Sequence, residues 1–374
     1  MNQRIDMTQS FGRFFLPGPT EVRPEVLQAM LGPMMGHRTR EMEAVMERIQ
    51  PGLTHAFRTT RPVYVAPASG TGMMEMAVRS VAIRRVLCLV NGAFSERFHK
   101  IAVQSGCETD RLEVPWGAAH TPVMLADAMK DGDYDTVTIC HSETSTGVLN
   151  PIRDLARVAH ERGAMVCVDT VSSMAGAPVE CDAWQLDFVA TGSQKSFALP
   201  PGLAFGCAQP AVLERAAAND RRGLYFDVLE YERNLEKSQT PNPPAVSLMY
   251  AAAVQMEAIL EEGIENRWAR HDAMAARTYE WVDAMRADGY DLGILAPEDY
   301  RSPTVTCVTV PEGVKGSDVC AAVSARGWTI APGYGKGKDA MIRIGHMGDH
   351  TVRELDALLE VLTDAFAEVL APHG

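Results

Sequence analysis

Short apolar runs rich in β-branched residues recur through the first half of the chain, at residues 63–65, 86–90, 136–140, 164–168, 188–190 and 203–207. They are continuous rather than alternating, the pattern of strands buried on both faces. Segments with helical spacing of apolar positions lie between most of them, at 72–81, 95–105 and 152–161. Strands that alternate with helices predict an α/β fold whose sheet is mostly parallel and covered on both faces.

The pattern changes after Gln209. Residues 238–244 carry Pro241, Pro243 and Pro244, which exclude regular structure by removing donors and fixing φ. Helical spacing returns at 246–261 and 268–287. A shorter α/β region follows, with strands at 304–310 and 341–344 and helices at 317–325 and 354–370. The expected organisation is an N-terminal arm (1–15), a large domain (16–265) and a small C-terminal domain (266–374). No repeat or low-complexity segment interrupts it.

Composition narrows the function classes. The 374 residues are 46% hydrophobic and 22% charged, enough apolar material for a large core. The net charge of −13, with no basic run, argues against a nucleic-acid partner, because phosphate backbones need a positive surface. No run approaches the roughly 18 apolar residues of a membrane span. The first ten residues carry Arg4 and Asp6 and no apolar core, so no signal peptide is expected and the cytoplasm is the expected location. The eight cysteines include no Cys-x-x-Cys pair, and Cys88 and Cys167 sit in apolar runs, as free thiols of a reducing compartment would. No metal site is expected: His160-Glu161 lacks the second histidine at position 164, which is Ala.

Ligands of open α/β sheets bind beyond the carboxyl ends of the strands. There the chain carries residues 68–72, 91–94, 141–147, 169–172 and 192–195, all polar or glycine-rich. Ser69-Gly-Thr-Gly72 can form an anion cradle from Thr71, Gly72 and the N–H of Met73, although taken alone an ordinary turn is the better explanation. It is not a dinucleotide fingerprint, which disfavours a nicotinamide-dependent oxidoreductase. The run Gly333–Lys338 misses the P-loop pattern and fits a flexible loop. Asp169 ends an apolar run and is poorly solvated. It could hold a proton on a heteroaromatic nitrogen, or equally cap the next turn near Val171 and Ser172. Lys195, flanked by Phe197, Leu199 and a Pro200-Pro201-Gly202 turn, departs from the usual solvated surface lysine. With a lowered pKa it could form a Schiff base with a carbonyl. An anion cradle, an acid and a lysine on neighbouring strand ends are together what pyridoxal 5'-phosphate requires.

These residues resemble the fold-type I, class V aminotransferases, especially the alanine–glyoxylate and serine–pyruvate (serine–glyoxylate) branch. The likeness runs from Leu16-Pro-Gly-Pro-Thr20 past Arg343-Ile-Gly-His-Met-Gly348 and is strongest at 141–147, 168–173 and 192–202. It implies a large domain with a seven-stranded-type sheet and a homodimer with active sites at the subunit interface. It implies that Lys195 binds the cofactor aldehyde, that Asp169 partners the pyridine nitrogen, and that Phe94 and Val171 flank the ring. Thr144 would bond the ring region, while Thr71, Gly72, Met73 and Gln194 would hold the phosphate. Arg343 would clamp the substrate carboxylate, with Gly18 and Thr144 beside it; an arginine paired with a surface acid is the bland alternative. Gln239 and Thr240 would reach the neighbouring subunit's phosphate. Met73 stands where some relatives have His, and Pro243 where relatives often have a second Thr, so side-chain donors are lost at both positions. The implied reaction is amino transfer from alanine or serine to glyoxylate or pyruvate. 2-Aminoethylphosphonate–pyruvate and aspartate transaminases are the alternatives. Cysteine desulfurases fit less well, because Gln194 rather than His precedes Lys195 and residues 331–340 contain no Cys.

Overall fold

The apolar runs assemble into a seven-stranded sheet in a computed structural model that describes residues 11–371. From one edge the order is Tyr64–Ala66, Ala204–Ala208, Phe188–Gly192, Met165–Asp169, Thr136–Cys140, Arg85–Val90 and Glu108–Glu113. The five strands from Phe188–Gly192 to Glu108–Glu113 are parallel, and the remaining two pairings are antiparallel. Six strands are the expected runs. The seventh, Glu108–Glu113, was not legible as apolar because it forms the sheet edge, where charged residues are favoured over a hydrophobic run.

Helix Gly70–Val81 lies across the strands Met165–Asp169 and Phe188–Gly192 and buries Met73, Met74, Met76 and Ala77 against them. On the other face, helices Arg40–Phe57, Ile152–Glu161 and Val246–Glu262 close a second apolar layer. The two long helices after the proline segment differ from expectation. Only Gly263, with φ +79°, separates Val246–Glu262 from Ile264–Ala287, so the second helix begins four residues earlier than its periodicity suggests. It starts in the large-domain core through Ile264 and Trp268 and ends in the small-domain core through Trp281 and Met285.

The small domain holds a four-stranded antiparallel sheet in the order Gly293–Ile294, Thr306–Thr309, Met341–Ile344 and Ala331–Pro332. Helices Gly316–Ala325 and Val352–Leu370 pack against its core. Most of the expected arm, residues 1–10, lies outside the described residues. The end of that arm packs against these elements: Phe15 is fully buried in the same apolar cluster and its N–H donates to the Thr329 carbonyl at 2.8 Å. No helix among the described residues is long and apolar enough to cross a membrane.

Candidate active site

Register brings the first two groups together. Strands Thr136–Cys140 and Met165–Asp169 run parallel with Cys140 opposite Asp169, and the chain turns into the Lys195 loop three residues after strand Phe188–Gly192. That loop is tightly held. Thr20 donates its N–H to the Gln194 carbonyl (3.0 Å), Leu199 N–H to Ser193 O (3.2 Å) and the Ser193 hydroxyl to Pro200 O (2.7 Å). Ala198 takes a left-handed φ of +53°, so the turn is closed at some conformational cost.

Lys195 is only 6% exposed, and its Nζ donates to the Pro17 carbonyl. Burial pushes its amine down to about 8, and the positive charges of Arg343 and Arg97 act in the same direction. A neutral amine, the form that can act as nucleophile and base, is therefore accessible near neutral pH. Gly18 lies against it with φ +101°, and a β-carbon there would run into the Lys195 side chain. Asp169 is buried as well. Its Oδ1 accepts the Val171 N–H at 2.8 Å, and Oδ2 lies 3.7 Å from the Cys140 thiol. One oxygen thus caps the next turn, and the other meets only the weak thiol donor of Cys140. Burial raises its carboxyl to about 6.

Both groups line a cavity of about 370 Å³ together with Gly18, Thr71, Phe94, Thr144, Val171 and Gln194. The cradle differs in detail from its expected form. Gly72 and Met73 turn their N–H groups back to the Ser69 carbonyl (2.9 and 3.4 Å), and the Met73 side chain is buried in the core against Gly206. Of the expected three only Thr71 lines the cavity, joined by Ser69 and Gly70, because the helix starts at Gly70 and its open first-turn donors lie there. Gln239 and Thr240 do not line this cavity. Gln239 donates to Glu43 at 2.8 Å and accepts from Arg38 at 3.0 Å, while the Thr240 hydroxyl donates to Asn242 O.

Arg343 stands on Met341–Ile344, an interior strand of the four-stranded sheet. Its Nε donates to Pro332 O (3.0 Å) and Nη1 weakly to Thr144 O (3.4 Å). Among the described residues no carboxylate lies within ion-pair distance of it, and it does not line the cavity that holds Lys195 and Asp169.

Three contributors were missed at the sequence level. Glu143 is fully buried and gathers the N–H groups of Phe94 (3.1 Å), Ser95 (2.8 Å) and Ser145 (3.2 Å) with the hydroxyls of Ser95 and Ser145. Its carboxylate satisfies the open donors of helix Ala93–Gln104 and so fixes Phe94 in the cavity wall. Arg97 lines the same cavity, with its guanidinium carbon 5.0 Å from the Phe94 ring centre. Its place three residues after Phe94 on one helix was the available signal. Tyr334, inside the segment expected to be a flexible loop, stacks on Phe94 with ring centres 5.5 Å apart.

Residues 74–357 match the family model "Aminotransferase class-V". The chain is 38% identical to an uncharacterised aminotransferase of Methanocaldococcus jannaschii, over 95% of this chain and 92% of the relative. It is 31% identical to the L-aspartate–glyoxylate aminotransferase of Paracoccus denitrificans, over 90% of this chain and 86% of that one. Among solved structures, the alanine–glyoxylate aminotransferase of a Nostoc species superposes with a TM-score of 0.89 at 26% identity, covering 97% of this chain and 98% of that one.

Proposed function

The chain belongs to the class V aminotransferase family, and from that premise we propose that it uses pyridoxal 5'-phosphate to transfer the amino group of alanine or serine to glyoxylate or pyruvate. The observation that carries this is the pairing of a buried amine, Lys195, with a buried carboxyl, Asp169, in one cavity beside an open helix start.

The residues present fit the cofactor. Lys195 supplies an amine for its aldehyde, and the Asp169 oxygen that meets only the Cys140 thiol suits a protonated ring nitrogen. Ser69, Gly70, Thr71 and Gln194 offer donors for a phosphate, and Phe94 and Val171 would hold the flat ring. A β-carbon at Gly18 would run into Lys195 and one at Gly70 into Val171, so both glycines let the backbone approach these two side chains closely. When bound, pyridoxal phosphate supplies an aldehyde that captures amino groups and a ring that accepts an electron pair.

The protein's own groups then have separable tasks. Arg343 binds the substrate α-carboxylate and so sets which Cα bond faces the base. The Lys195 amine takes the proton from Cα and returns it during the transfer, a role that its lowered pKa favours near neutral pH. Asp169 holds the proton on the ring nitrogen by remaining anionic opposite it. Glu143 keeps Phe94 in place, and the buried position of Lys195 limits competing water.

Homodimerisation is supported by exposed apolar side chains, Leu224 (90%), Leu31 (83%) and Met34 (71%), and by Gln239 and Thr240 lying outside their own chain's cavity. Eight free thiols suit a cytoplasmic location. Aspartate is the second candidate donor, because Arg97 at the cavity has no carboxylate partner among the described residues and the Paracoccus relative is named for that donor. A panel of alanine, serine and aspartate against glyoxylate and pyruvate separates the two. In the same assay Arg343→Ala should raise KM for donor and acceptor together by about 10- to 100-fold, the worth of a charge-assisted hydrogen-bond pair. An unchanged KM would remove Arg343 from the substrate site.

A further inference from the structure

We propose that Tyr334 determines specificity by limiting the length of the donor's side chain. This role presupposes the transaminase activity proposed above and adds a substrate class to it: amino acids with side chains of one or two heavy atoms.

The Tyr334 ring bridges two groups of the site. It stacks on Phe94, with ring centres 5.5 Å apart and planes 18° apart, and the Arg343 guanidinium carbon lies 5.4 Å from its centre on the Arg343 side. Lys195 Nζ lies 5.8 Å from the Phe94 ring centre. Lysine, phenylalanine, tyrosine and arginine are therefore linked by successive contacts: Lys195 and Phe94 line the cavity, and the half-exposed Tyr334 ring and Arg343 continue the row just beyond it. Three of the four substituents on the substrate Cα would already have a place: the amino group at the cofactor aldehyde, the carboxylate at Arg343 and the hydrogen facing the Lys195 amine. The fourth, the side chain, competes with the tyrosine ring for the space between Phe94 and Arg343.

The row is stiff at its base. Gly333 donates its N–H to Met341 O at 2.8 Å, which ties the loop to the strand that carries Arg343. Gly335 has φ +63°, and a β-carbon there would lie 3.0 Å from the Trp116 ring. The loop backbone is thus packed against Trp116 and cannot retreat that way to admit a longer substrate. The segment that composition marks as flexible is built to hold one aromatic ring in position.

The test compares kcat/KM for alanine and for norvaline in the loaded enzyme, with glyoxylate as acceptor. Tyr334→Ala is expected to raise the norvaline-to-alanine ratio by about tenfold or more, the usual consequence of one or two methylenes in a shaped pocket. Tyr334→Phe, which keeps the ring, should retain the wild-type ratio. A ratio within about twofold of wild type in Tyr334→Ala would overturn the proposal. So would an equal shift in Tyr334→Phe, since the hydroxyl rather than the ring would then be responsible. If the alanine variant does not fold, Tyr334→Leu takes its place: a raised ratio supports the role and an unchanged ratio overturns it. A wild-type protein that transaminates neither donor would instead sink the transaminase activity, and this role with it.

Discussion

Lys195→Ala is expected to lower turnover of every donor by about 10⁴-fold or more, the combined loss of a covalent anchor and a general acid–base group. No other lysine lines the cavity among the described residues. The Lys195 amine is held beside the cavity by a turn that Thr20, Ser193 and Leu199 close with backbone hydrogen bonds, and its pKa is lowered by burial and by Arg343. Reactivity thus depends on place as well as chemistry. The variant should still fold, because the truncation removes a buried polar group next to the positive charges of Arg343 and Arg97. Steady-state turnover with matched circular dichroism checks both halves. Activity within tenfold of wild type would mean that Lys195 does not carry the reaction.

Asp169→Asn is expected to lower kcat by about 10²- to 10³-fold while leaving the cofactor-free protein at least as stable as wild type near neutral pH. The amide keeps the shape and can still accept the Val171 N–H, but it cannot supply the negative charge opposite a ring nitrogen. The stability half follows from linkage. Burial raises the folded-state carboxyl from 3.8 to about 6, so the favourable contribution of the protonated form is present below pH 4 and lost as pH rises through 6. Above pH 6 the cofactor-free wild type carries a buried anion that the Val171 N–H and Lys195 offset only in part, a penalty of about 3 kcal/mol at about 1.4 kcal/mol per pH unit. Thermal melts of the two cofactor-free proteins should therefore diverge above pH 6 in favour of the variant and converge below pH 4. A variant less stable than wild type at pH 7–8 would show that Asp169 is retained for packing rather than chemistry.

Much of this arrangement was legible in the residues. Continuous apolar runs marked six of the seven strands, and the polar residues that follow them marked the cavity: Thr71, Phe94, Thr144, Asp169, Val171, Gln194 and Lys195 all line it. What escaped depends on tertiary placement. The edge strand Glu108–Glu113 has no apolar face to announce it. Glu143 looked like one polar residue among several in 141–147, and only folding places its carboxylate under the first turn of the helix that carries Phe94. The start of helix Gly70–Val81 moved the open donors toward Gly70, an end effect of a residue or two that periodicity does not resolve. Tyr334 sat in a glycine-rich loop whose partners, Phe94, Trp116 and Arg343, are remote in sequence.

The most direct test of the central claim is borohydride reduction of the protein saturated with pyridoxal 5'-phosphate, followed by peptide mapping in the mass spectrometer. One reduced cofactor adduct per chain, on the peptide that contains Lys195, is the predicted result. No adduct, or an adduct on a different lysine, would contradict it.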